Sequence, residues 1–218
     1  MIPSHLDNLP ATLLVLAGGR GRRMGSPKAL IPLGGRTMLA WVVDELAPAF
    51  DEVLVSVARE GDLPAAAGGA HGTTVIADRH PGAGPLAGLE AGLAAAVHEA
   101  VFVVACDMPL VTRSLGRLLV EAVSGRDAAV PLVGRRPQPA CAVYAKAVAP
   151  VVTRALETKR LRFSDLLDEI DVRFLEDADF ARAGVGKEAF WSVNTPADLA
   201  RVSALVSSAG EAPGGVPA

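Results

Sequence analysis

The loop Gly18–Lys28, Asp78, Asp107 and Asn194 each stand just past a short apolar run, and the loop is rich in glycine and crowded with arginines. With the run before it, that loop reads Leu13-Leu14-Val15-Leu16-Ala17-Gly18-Gly19-Arg20-Gly21-Arg22-Arg23-Met24-Gly25-Ser26-Pro27-Lys28. The glycines let the backbone bend sharply and bring bare N–H groups up to a ligand. Such a turn at the carboxyl end of a buried strand is how α/β proteins hold a polyphosphate. Lys28 and Arg23 would neutralise a triphosphate, the arginine as a fork and the lysine as a mobile point charge, and would stabilise charge on transferring phosphoryl oxygens. Arg20 and Arg22 fit a solvated surface equally well.

Asp107 follows the apolar run Val101–Ala105 and is placed to hold Mg2+, an ion bound by one or two carboxylates together with phosphates and waters. An aspartate there also serves simply to open a turn. Asp78 is expected to bind the nucleoside, to support the metal, or to close a turn. Gly82, Gly84 and Gly88 allow either a close backbone approach to a base or sugar or tight helix packing. Gln138 is a candidate contact for a second substrate. Asn194 is another, although the Thr195-Pro196-Ala197-Asp198 that follows it reads as a capped helix start.

Spacing separates this pattern from its neighbours. A dinucleotide-binding G-x-G-x-x-G would begin at Gly19 and Gly21, but its third position is Met24, and its acidic partner would be Asp44, inside an apparent helix. A P-loop needs Gly-Lys-Ser/Thr, and here Lys28 lies between Pro27 and Ala29.

Short apolar strands alternate with helix-like segments along the chain, which predicts a largely parallel sheet covered on both faces. Strands are expected at the run ending in Leu16 and at Val53–Val57, Val75–Ala77, Val101–Ala105, Ala128–Val133, Ala140–Tyr144 and Val172–Leu175. Helices are expected from Thr37, as N-cap, to Leu46, from the glycine-proline cluster to about Val97, and over Arg113–Val123, Lys146–Leu156 and Ser164–Leu167, with a last one opening at Pro196. The Ala/Gly-rich segment 61–72 reads as a loop or weak helix. One domain is expected over residues 11–206, with an N-terminal extension at 1–10 and a disordered tail at 207–218. In a parallel α/β sheet the ligand crevice lies outside the carboxyl ends of the strands, so the loop from Gly18 to Lys28, Asp78, Asp107 and Asn194 are expected to converge there.

Bulk properties narrow the field. The formal charge of −3 excludes bulk nucleic-acid binding, since the cations are local to Arg20–Lys28. No apolar run approaches the ~20 residues of a membrane span. MIPSHLDNLP has no signal-peptide pattern, and a cytoplasmic location is expected. Cys106 and Cys141 form no C-x-x-C and read as buried free thiols, and the four scattered histidines give no zinc pattern.

The motifs in series carry a resemblance. L-A-G-G-x-x-x-R-M-G-x-x-K (Leu16 to Lys28), G-P-L-A-G from Gly84, C-D-M-P from Cys106, R-P-Q-P-A from Arg136 and V-N-T-P-A-D-L from Val193 together resemble the molybdenum cofactor guanylyltransferase family, over about residues 13–205. The resemblance implies a three-layer α/β/α Rossmann-like nucleotidyltransferase fold with a mostly parallel central sheet. It implies transfer of GMP from MgGTP to molybdopterin-bound molybdenum cofactor, and transient contact with molybdoenzymes or their chaperones. Leu16, Ala17, Gly18, Gly19 and Lys28 match that family's nucleotide loop, with Gly84 in its second glycine cluster. Asp78 matches its nucleotide-binding aspartate and Asp107 its nucleotide- and Mg2+-binding aspartate. Two positions depart from the family: Ser192 stands where the first Asn of Asn-x-Asn-Thr-Pro is common, and Ser56-Val57-Ala58-Arg59 replaces an Asn-bearing stretch.

Three other readings stay open on the sequence. A sister enzyme using CTP usually has L-A-A-G, so Gly18 is expected to leave room for a purine. A sugar- or polyol-phosphate nucleotidyltransferase would share the phosphate loop. A non-catalytic nucleotide-binding module would bind GTP without releasing pyrophosphate.

Overall fold

The computed structural model describes residues 8–18, 27–63 and 72–210. Its first strand, β1 (Leu9–Leu16), is the apolar run that leads into the glycine turn, buried at all but one position. A 3-10 turn (Lys28–Leu30) and a small hairpin, β2 (Pro32–Leu33) and β3 (Arg36–Thr37), lead into α1 (Met38–Leu46). Thr37 caps α1 as expected, its hydroxyl accepting from the Ala40 N–H at 3.1 Å. Then come β4 (Phe50–Val57), β5 (Thr74–Ala77), α2 (Pro85–Ala95), β6 (Ala100–Ala105) and α3 (Arg113–Ala122). The remainder is β7 (Ala128–Val133), β8 (Arg136–Pro137), β9 (Cys141–Ala145), α4 (Ala149–Glu157), α5 (Phe163–Leu167), β10 (Val172–Leu175), α6 (Asp177–Arg182) and α7 (Pro196–Gly210).

The main sheet runs β10-β7-β9-β6-β1-β4-β5. β6, β1, β4 and β5 are parallel neighbours, and β7 is parallel to β10. β9 alone on this path is reversed, pairing antiparallel with both β6 and β7. The mostly parallel sheet is therefore as expected, with one inverted strand inside it.

Alternate residues of each strand feed opposite layers, because successive side chains point to opposite faces. Leu13, Val15, Val55 and Phe102 pack with Leu39, Val43, Leu115 and Leu119 of α1 and α3 on one side. Leu14, Leu16, Leu54 and Val103 pack with Leu86, Leu89, Val152 and Leu166 of α2, α4 and α5 on the other. A third cluster, Ile31, Leu33, Met38, Val193, Val202 and Val206, fastens α7 to the β2–β3 hairpin. That contact is what brings Asn194, ahead of α7, back to the beginning of the domain.

Several boundaries differ from expectation. β1 begins at Leu9, and α7 runs through Gly210, into the stretch read as a tail. Residues 1–7, 64–71 and 211–218 of the expected extension, loop and tail lie outside the described residues. The β2–β3 hairpin turns on Gly34 and Gly35 (φ 54° and 81°), and α6 is a six-residue helix. A reciprocal capping box opens α6, in which Asp179 accepts from the Glu176 N–H at 2.9 Å. Both cysteines are free and buried. Among the described residues no helix is long and apolar enough to cross a membrane.

α2 lies unusually close to the sheet, since a Cβ at Gly92 would fall 2.1 Å from Leu14 Cδ2. Leu14 is fully buried and has nowhere to retreat. Gly92→Ala would gain about 1 kcal/mol of helix propensity but overpack the β1–α2 contact by about 1–3 kcal/mol. The expected net result is a lower urea midpoint with an unchanged m-value.

Candidate active site

Three of the candidate residues, Lys28, Asp107 and Asn194, gather at the carboxyl edge of the parallel strands. Lys28 opens the 3-10 turn that follows the glycine loop, and its Nζ donates to Asp107 Oδ2 and to Asn194 Oδ1, each at 2.6 Å. The partners lie 79 and 166 positions along the chain from it. Backbone bonds fix both approaches. The Cys106 N–H donates to the Leu16 carbonyl at 3.1 Å, pinning the turn after β6 to the end of β1. The Val193 N–H donates to the Asp107 carbonyl at 2.8 Å, laying the approach to α7 against that turn. Asp198 then accepts from the Asn194 and Thr195 N–H groups at 3.0 and 2.9 Å, and these bonds, that of Asn194 foremost, hold its carboxyl below the ordinary aspartate range. The capped helix start expected at Thr195 and the exposed amide of Asn194 are thus parts of one device.

Lys28 and Asp107 are only 19% and 15% exposed, so their charges meet in a crevice rather than in open solvent. An ammonium, a carboxylate and an amide oxygen within hydrogen-bond reach are suited to binding a phosphorylated anion with its counter-cation. The neighbouring Cys106 thiol is no nucleophile at neutral pH, because burial, with the Asp107 charge adding to it, pushes it up to about 12.

Asp78 lies on the same edge, past β5. Three strand spacings, roughly 14 Å, separate it from the Asp107 strand. Its N–H donates to the Val57 carbonyl at 2.9 Å, and its Oδ1 accepts from the buried Ser56 hydroxyl at 2.6 Å. Burial raises its carboxyl above the ordinary value; the Ser56 bond opposes this, and the charges of Asp62 and Glu90 add to it. Glu90, on α2, is itself buried: one oxygen accepts from Arg79 Nη1 at 3.2 Å, while Oε2 has no partner among the described residues. A Cβ at Gly88 would sit 2.6 Å from Ser56 Oγ, so that glycine serves helix packing over the serine. Sequence reasoning missed both the Ser56–Asp78 bond and Glu90. The available signals were a serine inside an apolar strand and an acid inside an alanine-rich helix.

The other expected positions divide. Leu16 and Ala17 are buried, and the Ala17 N–H donates to the Ser56 carbonyl at 2.8 Å. They form the base of the loop, and its described part reaches only Gly18 on this side. A Cβ at Gly18 would lie 3.1 Å from the Ala58 amide nitrogen, so any larger residue there would need the backbone just past β4 to give by a few tenths of an ångström. Gly19 and Arg23, with Arg20 and Arg22, lie outside the described residues. Gly84 is the N-cap of α2 at φ 77°, a conformation that favours glycine, with open space where a Cβ would be. Gln138 is not drawn to the Lys28 cluster. Its amide donates to the Arg136 carbonyl at 3.2 Å, and its N–H to the Pro131 carbonyl at 2.9 Å, on the β7–β8 side.

A mostly parallel sheet with helices on both faces, a glycine-rich loop after β1 and a Lys–Asp pair at its carboxyl edge define a nucleotidyltransferase. Residues 13–174 match the MobA-like NTP transferase domain. The chain is 37% identical over 200 residues to the probable molybdenum cofactor guanylyltransferase of Pelotomaculum thermopropionicum, covering 92% of this chain and 95% of that one. It is 39% identical over 198 residues to the molybdenum cofactor guanylyltransferase of Cereibacter sphaeroides, covering 88% and 95%. The crystal structure of molybdopterin-guanine dinucleotide biosynthesis protein A from Archaeoglobus fulgidus superimposes with a TM-score of 0.80 at 27% identity, covering 90% and 99%. The 2-C-methyl-D-erythritol 4-phosphate cytidylyltransferase of Thermus thermophilus shares the fold, at a TM-score of 0.68 and 24% identity over 90% and 98%. The chain belongs to the MobA-like NTP transferase family.

The Asp78 environment yields a direct measurement. Its carboxyl is expected to titrate above the usual ~3.9 of aspartate, read from the 13C shift of the side-chain carbonyl. Ser56→Ala removes a bond that favours the ionised form and moves the titration to still higher pH. An unshifted Asp78 in the variant would show that the serine bond is absent in solution.

Proposed function

We propose that this protein transfers GMP from GTP to the terminal phosphate of molybdopterin-bound molybdenum cofactor, giving the guanine dinucleotide form and pyrophosphate. The observation that carries the reading is the shared contact of Lys28 with Asp107 and Asn194 at the sheet's carboxyl edge. The identity to guanylyltransferases over nearly the whole chain supports the choice of nucleotide and acceptor.

The chemistry follows from charge. An oxygen of the acceptor's phosphate monoester attacks the α-phosphorus of GTP; a new P–O bond forms there, and the bond to the β-phosphate oxygen breaks with pyrophosphate leaving. A phosphate monoester with a second pKa near ~6 is already largely a dianion at neutral pH. No general base is required. What opposes the step is repulsion between anions, and Lys28, with Arg23 from the glycine loop, relieves it and steadies the leaving group. Lys28 exchanges its Asp107 contact for phosphate oxygens as the nucleotide enters. Asn194 holds the lysine's approach direction, and Asp78 receives the nucleoside, with Gly18 and Gly84 permitting close backbone approach.

Among the described residues no group of three His, Cys, Asp or Glu side chains could hold a metal alone. One hard carboxylate, Asp107, fits an ion that arrives on the nucleotide and keeps its waters, as Mg2+ does. When bound, Mg2+ would be held by Asp107 and would supply further neutralisation of the triphosphate. The product would pass to a molybdoenzyme or its chaperone.

The deciding experiment offers each of the four ribonucleoside triphosphates with loaded molybdopterin and identifies the nucleotide joined to the pterin. Guanosine alone is expected; cytidine in the product, or transfer only to a sugar 1-phosphate, would replace this reading. Lys28→Ala and Asp107→Ala should each lower kcat/KM by about 10²–10³-fold or more while the far-ultraviolet circular dichroism stays native. Full activity in either variant removes that residue from the mechanism.

A further inference from the structure

The edge of the sheet is used unevenly. Asp78 stands over β5, and Lys28 with Asp107 stands over β1 and β6. On the other flank, over β9 and β7, the β7–β8 hairpin rises past the sheet. β7 pairs with β9 only at Ala128 and Ala129, then with β8 through Leu132–Pro137 and Val133–Arg136. The hairpin is fastened at its base: the Ala105 N–H donates to the Ala140 carbonyl at 2.9 Å, and the Tyr144 hydroxyl donates to the Pro139 carbonyl at 2.8 Å. β7 runs in the same direction as β6, two strands away across the reversed β9, so its hairpin leaves the sheet at the same carboxyl edge as Asp107.

The tip of the hairpin is Gly134-Arg135-Arg136. Both arginines are exposed, and neither has an ion-pair partner among the described residues. Arg135 adopts φ 64° after Gly134 at φ 53°, the geometry of a two-residue hairpin turn whose second position favours glycine. The other non-glycine in this region, Lys159, ends α4, where the Arg160 N–H returns to the Ala155 carbonyl at 2.8 Å. An arginine kept at a hairpin tip in a conformation suited to glycine is a strained residue whose side chain has a use.

Resting on the guanylyltransferase reading, we infer that Arg135 and Arg136 form the acceptor's anion site, gripping the phosphate monoester of the incoming acceptor from the flank opposite the nucleoside. Two guanidinium forks match the oxygens of a phosphate dianion. They also place the acceptor on the side from which its oxygen can approach the α-phosphorus without crossing the nucleoside. GTP, held over β1, β4 and β5, does not need them.

The test pairs Arg135→Gly and Arg136→Ala with Arg173→Ala, an exposed arginine in the body of the edge strand β10, as control. Loaded molybdopterin is titrated calorimetrically into nucleotide-free protein, and KM is measured separately for GTP and for the acceptor. Each hairpin variant is expected to weaken acceptor binding about tenfold, one such loss being ~1.4 kcal/mol, with the KM for GTP unchanged. Arg135→Gly should do so while raising Tm by about 2–4 °C, because glycine relieves the turn. The control alters neither constant. Acceptor binding at wild-type strength in both hairpin variants overturns the inference, even if Arg135→Gly is more stable. A wild-type protein that binds the acceptor through these arginines yet forms no guanylylated product would refute the proposed function and leave the anion site standing.

Discussion

One ammonium group holds the working edge together. Lys28 donates to a carboxylate from the middle of the chain and to an amide oxygen from near its end, both at 2.6 Å. Each contact depends on a different part of the fold. Asp107 is delivered by β6, locked to β1 through the Cys106 amide, and Asn194 by α7, which packs on the β2–β3 hairpin beside Lys28 itself. In partial burial such charges attract more strongly than in water, and a lone one would be costly. The cation and the anion therefore need each other.

The sheet beneath this edge has a division of labour. Four parallel strands carry the Lys–Asp pair and the buried Ser56–Asp78 contact. The inverted β9 separates them from β7 and its overhanging hairpin. α2 lies low enough over β1 and β4 for Gly88 to cover Ser56 directly, which seals the serine from water and leaves its hydroxyl to Asp78. Dense packing here serves orientation as well as stability.

Much of this was legible in residue types. The apolar runs ending at Leu16, Val57 and Ala105 read as buried strands, and the rule that ligands bind beyond strand carboxyl ends predicted that the loop from Gly18 to Lys28, Asp78, Asp107 and Asn194 would converge. Lys28, Asp107 and Asn194 do meet, while Asp78, on the same edge but three strands from Asp107, bonds Ser56. Thr37 and Thr195–Asp198 announced their helices through side chains that compete for backbone N–H groups. Other features had no local signature. Nothing in Cys141–Ala145 marks a strand as reversed, because alternation carries no direction. Ser56 inside an apolar strand reads as a polar interruption until Asp78 is seen opposite it. Gly88 was compatible with ligand approach or with helix packing, and the choice depends on a serine 32 positions earlier in the chain. α6 is too short for a periodicity, and only the mutual capping of Glu176 and Asp179 defines it.

The sulfur next to Asp107 in the chain is chemically quiet. Burial, with the Asp107 charge adding to it, pushes the Cys106 thiol up to about 12, so it keeps its proton at neutral pH. Cys141, buried in the same layer and also raised to about 12, is equally muted. Neither thiol is a ready nucleophile, so the chemistry of the crevice is left to its nitrogen and oxygen groups.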